Sequence, residues 1–319
     1  MFKKFNLKTY GIIFIVLLVI VVITLVYKSY KGDRSYELKI KFKPEKVTDI
    51  IITTKANIND EITFKLKNKE WFVEKGNLSF SADSAKVNNI LRELKNMKAQ
   101  RVAAIDNSKW KEYEVTDSTG VRVIVKNKNK KIADVFIGKF SYQNPTNYYQ
   151  YQGTMTTFVR KADEDIIYAV DGFLRMSFNS DLNSYRNTKI VPAGKNDWAK
   201  LTFSYPADSS FVLRKEENKW MIDGIIADSA KVAGYLNSLK RLTSYYFIDD
   251  TMNISKNSLF KLTIEDEDLP EPIVITASTA DTTHMYAIVS SVNKGNVFSG
   301  KMNDLFKKIF TSKKQLLGQ

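Results

Sequence analysis

The chain is 319 residues long, 44% hydrophobic and 12% aromatic, which is enough apolar material for two ordinary cores and unlike a disordered chain. It has no cysteine and a single histidine, His284; disulfides, thiolate metal sites and a cysteine nucleophile are excluded, and a triad or imidazole metal site would have to be built on that one residue. The formal charge of +14 raises nucleic acid as a partner, but five lysines fall in residues 1–31 without an acid and the rest are scattered among Glu and Asp; this is the pattern of solvated faces, and no nucleic-acid partner is expected.

Residues 1–9 form a short basic tail carrying Lys3, Lys4 and Lys8. From Gly11 to Val26 the sequence is uncharged and apolar, with Tyr10 and Tyr27 placed as interfacial aromatics. This predicts a transmembrane helix over residues 10–27. No small-x-small cleavage site follows, since the next residues are Tyr27-Lys-Ser-Tyr-Lys-Gly-Asp33, so the segment reads as a retained signal anchor. Behind it Lys28, Lys31 and Arg34 are soon balanced by Asp33 and Glu37. The slight positive-inside bias places the N-terminus in the cytoplasm and the remainder on the periplasmic side of an inner membrane.

A juxtamembrane linker with a first strand (28–44) leads into a first folded unit over 45–180. Ile50, Ile52 and Thr54 alternate as one strand, Ile62, Phe64 and Leu66 as a second, and Trp71 with Val73 as a third, with Asn68-Lys69 as a tight turn. Asp83 or Ser84 then caps a helix whose apolar stripe is Val87, Ile90, Leu91 and Leu94. More alternating runs follow at Val121–Val125, Ala133–Ile137 and Thr157–Val159, separated by the polar turns Asp117-Ser-Thr-Gly120 and Lys126-Asn-Lys-Asn-Lys130. The run from Ile166 to Leu174 reads as a closing helix. A connector spans 181–197.

The second unit, 198–319, repeats the first. Ala82–Lys95 aligns without gaps on Ala227–Lys240 with nine of 14 positions identical, and upstream Trp71 falls on Trp220, Phe64 on Leu213, Ile62 on Phe211 and Ile52 on Leu201. The helix stripe recurs as Val232, Tyr235, Leu236 and Leu239, and Glu217-Asn218 recurs as the turn. Strands are expected at Phe260–Ile264, Ile273–Thr276 and Tyr286–Val289, with the acidic Glu265–Pro270 as a solvated turn and Met302–Phe310 as the closing helix. The expected fold class is therefore α+β: a transmembrane helix followed by two tandem repeats, each a mainly antiparallel sheet with one principal packed helix. Trp71 and Trp220 are expected to be equivalent core residues beneath their helices.

Taken together, these phrases resemble a bacterial family, domain of unknown function 4340. The resemblance is carried by Trp71 with Ala82-Asp83 and Leu91/Leu94, by Ile167-Tyr-Ala-Val-Asp171, by Tyr185-Arg-Asn-Thr-Lys189, and by Trp220 with Ala227-Asp228, over about residues 37 to 310. Members of that family look like anchored envelope proteins often encoded beside ABC-transporter genes, which implies such a protein here, with no catalytic residue to carry over.

No phosphate-binding glycine loop occurs, because Gly194-Lys-Asn-Asp lacks a second glycine at the required spacing; no cofactor is expected. Glu265-Asp-Glu-Asp268 lacks the alternating ligands and turn glycine of a calcium loop, and no metal is expected. His284, in Asp281-Thr-Thr-His-Met-Tyr286, reads as the edge of a strand. The contact candidate is Tyr142-Gln-Asn-Pro-Thr-Asn-Tyr-Tyr-Gln-Tyr151, whose Tyr142, Tyr148, Tyr149 and Tyr151 suit a protein partner or sugar stacking and have no counterpart in the second unit. The functional expectation is a non-catalytic envelope protein, an accessory or assembly component of an ABC-type transport or export system with protein partners in that complex. The alternative is an envelope-bound enzyme or binding protein acting on glycan or peptide through carboxylates such as Asp171 or Asp181.

Overall fold

A computed structural model describes residues 13–23, 37–54, 61–144, 153–178, 181–192, 198–266 and 269–319. Residues 13–23 form helix α1, and every one of them is an exposed large apolar residue. The remainder of the expected span lies outside the described residues. Among those described, no helix is long and apolar enough to cross a membrane. The strand expected before residue 45 does not form over 37–43; this stretch has no ladder partner and runs into a 3-10 turn at Pro44–Lys46.

The rest is mixed α+β, built on two large antiparallel sheets with few helices. Unit 1 comprises β1 (Asp49–Thr53), β2 (Ile62–Lys67), β3 (Glu70–Lys75), β4 (Leu78–Ser81), helix α2 (Ser84–Asn96), β5 (Ala99–Ala104), β6 (Val121–Asn127), β7 (Lys130–Gln143), β8 (Thr154–Lys161) and β9 (Ile167–Asp171). Two short helices follow, α3 (Arg175–Phe178) and α4 (Leu182–Tyr185). Unit 2 comprises β10 (Trp198–Ser204), β11 (Phe211–Glu216), β12 (Lys219–Ile222), β13 (Ile225–Ile226), helix α5 (Ser229–Lys240), β14 (Ser258–Asp266), β15 (Ile273–Thr279), β16 (Tyr286–Ser290), β17 (Val297–Ser299), α6 (Leu305–Ile309) and α7 (Lys313–Leu316). The strand orders are β4-β3-β2-β1-β6-β7-β8-β9-β5 and β13-β12-β11-β10-β14-β15-β16-β17, the same path with one strand fewer. That ninth position is filled in unit 2 by an irregular segment: Ile248 N–H donates to the Val297 carbonyl and Ser299 N–H to that of Tyr246.

The helices form where the apolar spacing and caps place them. Asp83 and Asp228 are the N-caps, accepting from the Ala85 amide and from the Ala230 and Lys231 amides respectively. Val87, Ile90, Leu91 and Leu94 are all buried against the inner face of the first sheet, with Ile50, Ile52, Phe64 and Val73. Val232, Leu236 and Leu239 do the same in unit 2, while Tyr235 is only partly buried and donates its hydroxyl to the Ile309 carbonyl. Trp71 is a buried core residue as expected; Trp220 is a correction, being only partly buried at the rim of the second core.

Two further readings are corrected. Ile167–Asp171 is a strand, not a helix: it pairs with β8 and with β5 and its first four residues are buried. A short apolar run buried on both faces has no alternation to reveal it, and its β-branched and aromatic content favours the strand. The closing helices are α3 in unit 1 and α6 in unit 2. The first-strand alignment is also off by two. Ile52 opposes Ile62 and Ile50 opposes Phe64, whereas Leu201 opposes Leu213 and Phe203 opposes Phe211. Leu201 therefore matches Ile50, and the loop after it is two residues shorter. A two-residue shift keeps the same face inward, so the apolar pattern alone does not detect it.

Unit 1 carries an additional layer. The segment between β5 and β6 crosses the outer face of its sheet, where Val115, Phe136, Phe158, Ile167 and Ala169 form a small separate core. Gly138 on β7 lets that backbone approach, since a Cβ there would lie 2.2 Å from the Tyr113 carbonyl oxygen. The same carbonyl accepts from the Lys139 amide at 3.0 Å.

Candidate functional site

The densest polar constellation lies where the two units meet. Helix α4 is capped by Asp181, which accepts from the Ser184 amide and hydroxyl; these two bonds, hydroxyl first, hold the Asp181 carboxyl below the usual carboxylate range. The helix delivers Arg186 into the seam, where its side chain is fully buried. Its guanidinium is sandwiched between the Phe80 ring of unit 1, 3.7 Å away, and the Phe247 ring of unit 2, 3.8 Å away. Nε donates to Asn296 Oδ1 at 2.6 Å, and Nη1 donates to Asn183 Oδ1 at 2.9 Å and to Asp249. Burial lowers the Arg186 pKa and Asp249 partly offsets that; a guanidinium remains charged regardless.

Asparagines extend this node across the seam. The Asn296 amide donates to the Ser81 carbonyl at 3.0 Å, and the Asn293 amide donates to the carbonyls of Asn187 and Lys189 at 2.9 and 2.7 Å. Ser81 N–H donates to Lys294 O, and Asn187 N–H to Ser81 O, both at 2.8 Å. Gly295, at φ +79°, permits the approach; a Cβ would stand 2.5 Å from the Ser79 carbonyl oxygen. The arrangement joins the two sheets through Arg186 and the asparagines. The phrase Tyr185–Lys189 that carried the family resemblance is its centre. Phe247, Asp249 and Asn296 were not singled out by sequence, and a buried arginine's need for a planar stack and a counter-charge was the only signal pointing to such partners.

Tyr142 stands exposed near the end of β7, opposite Met155 on β8. Next to it Phe140 packs on Phe173 at 4.5 Å between ring centroids. Tyr142, Met155 and Phe173 are each exposed in this region, and Met155 and Phe173 were not anticipated. Tyr148, Tyr149 and Tyr151 lie outside the described residues.

Most of the remaining candidates already have structural partners. His284 sits in a turn before β16, not in a strand edge: Asp281 Oδ1 accepts from the Thr283 and His284 amides, and the ring Nδ1 is buried without a partner. Asp171 accepts from the Gln100 amide. Asp181 and Asp249 share the lining of an open hollow of about 480 Å³, but one caps a helix and the other neutralises Arg186. A second hollow, about 410 Å³, is lined by Lys39, Lys41, Arg122, Lys131 and Lys161; four of these already pair with Glu37, Asp117, Asp134 or Glu164. No group of three or more His, Asp or Glu side chains among the described residues is placed to hold a metal ion. Glu265 pairs with Lys200 at 2.7 Å, and residues 267–268 lie outside the described residues.

No curated protein and no solved structure matches the chain. One family does, under the description Domain of unknown function (DUF4340), over residues 71–262. That match begins at the buried Trp71, passes through the Arg186 joint and ends in β14, covering more than half of the sequence. The chain belongs to this family.

Proposed function

We propose that the protein is a non-catalytic, membrane-anchored envelope protein that serves as an accessory or assembly component of an ABC-type transport or export system. The observation that carries this reading is the Arg186 joint, which spends the chain's most elaborate polar network on fixing one sheet against another. A scaffold that presents surfaces needs such a joint, whereas a catalyst needs polar groups left available to substrate. Helix α1 supports the anchor: a helix apolar all round has no stable place in water, and the uncharged run continues to Val26. The transport partner is the expectation that the family resemblance carries. The Tyr142, Met155 and Phe173 surface is the proposed contact.

Mild detergent extraction of native membranes followed by affinity capture of this chain tests the proposal. Subunits of an ABC-type transporter are expected to co-purify from the intact protein and to be depleted from a Tyr142→Asp/Met155→Asp variant; recovery of the chain alone would overturn it. A reporter active only outside the cytoplasm, fused after Gln319, is expected to work, and activity of a cytoplasm-only reporter there would reverse the orientation.

A further inference from the structure

The outer hairpins of the two units can be compared position by position. In unit 1 Val73 opposes Phe80 and Phe72 opposes Ser81; in unit 2 Ile222 opposes Ile225 and Met221 opposes Ile226. Phe80 and Ile225 thus hold one position and Ser81 and Ile226 the next, as the ungapped match of Ala82 to Ala227 also requires. In unit 1 this edge is closed by unit 2: the β16–β17 turn lays Lys294, Gly295 and Asn296 along Ser79–Ser81, and Phe80 is only 7% exposed. In unit 2 the same edge has no covering turn among the described residues. Ile225 is 54% and Ile226 57% exposed. Adjacent isoleucines on an uncovered edge strand form a template for association with another chain.

The covering turn in unit 1 indicates what fits the bare edge in unit 2. Lys294 at that turn pairs with Glu70 at 3.0 Å, and Glu70 directly precedes the buried Trp71. The residue in Glu70's position in unit 2 is Lys219, directly preceding Trp220. The unit 1 turn equivalent to β16–β17 is β8–β9, because Val159 opposite Tyr168 repeats Ile288 opposite Phe298. Its residues are Ala162-Asp-Glu-Asp-Ile166. The charges are exchanged between the units: an acidic edge meets a basic turn inside the chain, and a basic edge and an acidic turn are left over. Lys219, Asp163 and Asp165 are all exposed, and none has an ion-pair partner among the described residues.

We propose that the β13 edge of one chain docks the β8–β9 turn of a second copy, with Lys219 against Asp163 and Asp165 and with Ile225 and Ile226 covered. The two surfaces are different patches of one chain, so the contact is head-to-tail and builds a closed ring or an open filament according to whether the rotation closes. The association goes beyond the proposed accessory role and needs no transporter subunit.

The absence of native cysteine makes site-directed cross-linking a direct test on the full chain in detergent. Differently tagged D165C and K219C chains, mixed and oxidised, are expected to give a covalent dimer carrying both tags, at a yield well above that of either variant alone. In sedimentation velocity K219E is expected to weaken self-association about fivefold or more, and D163K/D165K placed in the same chain to restore it. Either of two results overturns the proposal: no mixed-tag dimer above the single-variant level, or K219E chains that associate as the parent does. All the substituted side chains are exposed, and circular dichroism of each variant matching the parent confirms that a lost contact is not a lost fold.

Discussion

Unit 1 and unit 2 share a ladder and a capped helix but differ in what covers them. On the outer face of unit 1, Arg160 is 3% exposed, its guanidinium stacked 3.7 Å from the Trp110 ring and 4.3 Å from the Phe136 ring. It donates to the carbonyls of Val115, Lys161 and Glu164 at 3.1 to 3.2 Å. The ladder register puts Val289 at that position in unit 2, 40% exposed and with no layer over it among the described residues. A similar contrast holds at the hairpin edge, where Phe80 is covered and Ile225 is not. The matching interiors tolerate few changes because every strand must keep its inward face. The outer surfaces carry no such constraint, and there the units differ: unit 1 is enclosed on its outer face and its edge, and unit 2 presents both to its surroundings.

Removing the joint should break this relation most severely. Arg186→Ala deletes a stacked side chain between two rings and strands the buried Asn296 carbonyl; from the cavity and the lost hydrogen bonds together about 3–5 kcal/mol is expected. Arg186→Lys keeps the charge but not the planar fork, and is expected to recover less than half of that. Urea unfolding followed by tryptophan fluorescence should show one transition in the parent separating into two in the alanine variant; a single unshifted transition would dismiss the joint as the coupling element.

The tryptophan pair sharpens the same comparison. Trp71→Ala empties a buried site and is expected to cost about 3–5 kcal/mol. Trp220→Ala, at a partly exposed rim, is expected to cost about half as much, because less apolar surface is returned to water. Differential scanning calorimetry of both variants tests the order, and equal losses would restore the equivalence that the matched sequence positions suggest.

Much of this architecture was legible in the sequence. The helices were placed by their caps and stripes because both signals are local: an Asp oxygen two or three residues from the amides it satisfies, and apolar residues returning every turn. The matching phrases of the two units were legible for the same reason. The strand at Ile167–Asp171 was not, since a run buried on both faces looks alike in helix and strand. Arg186 was visible as part of a phrase, but not as a joint, for its partners Asp249 and Asn296 lie 63 and 110 residues away. The tyrosine-rich segment yielded Tyr142 as an exposed side chain, while Met155 is placed opposite it by strand pairing and Phe173 lies nearby through its contact with Phe140.

The helix caps offer a finer difference. Asp83 accepts one amide and Asp228 two. Replacement by Ala is expected to cost about 1 kcal/mol at Asp83 and somewhat more at Asp228. The ranking is read from urea midpoints, and a larger loss at Asp83 would reverse it.

The smallest effect expected is a difference in acid sensitivity between the units, and it rests on Asp134. This carboxylate lies on β7 of unit 1, bound by Arg122 through Nε and Nη2 at 3.0 and 2.9 Å and by Lys131 at 2.7 Å. Burial pushes its pKa up, but the hydrogen bonds from Arg122 and Lys131 outweigh that and hold it below its ordinary value of 3.8. A folded pKa below the unfolded one means that the unfolded chain takes up the proton first. The stabilisation is therefore fully present above the unfolded value and is lost as pH falls through the folded one. Unit 2 has Val274 in the matching place, so this contribution belongs to unit 1 alone. Asp134→Asn is expected to lower stability by about 1 kcal/mol at neutral pH, where the partly exposed ion pair is screened, and by progressively less as pH falls through the depressed folded value, where the parent loses the same charge. Urea midpoints of parent and variant, measured from pH 7 into the acid range below 3.8, should draw together as pH falls. A constant gap across that range would mean that Asp134 acts through packing and not through its charge.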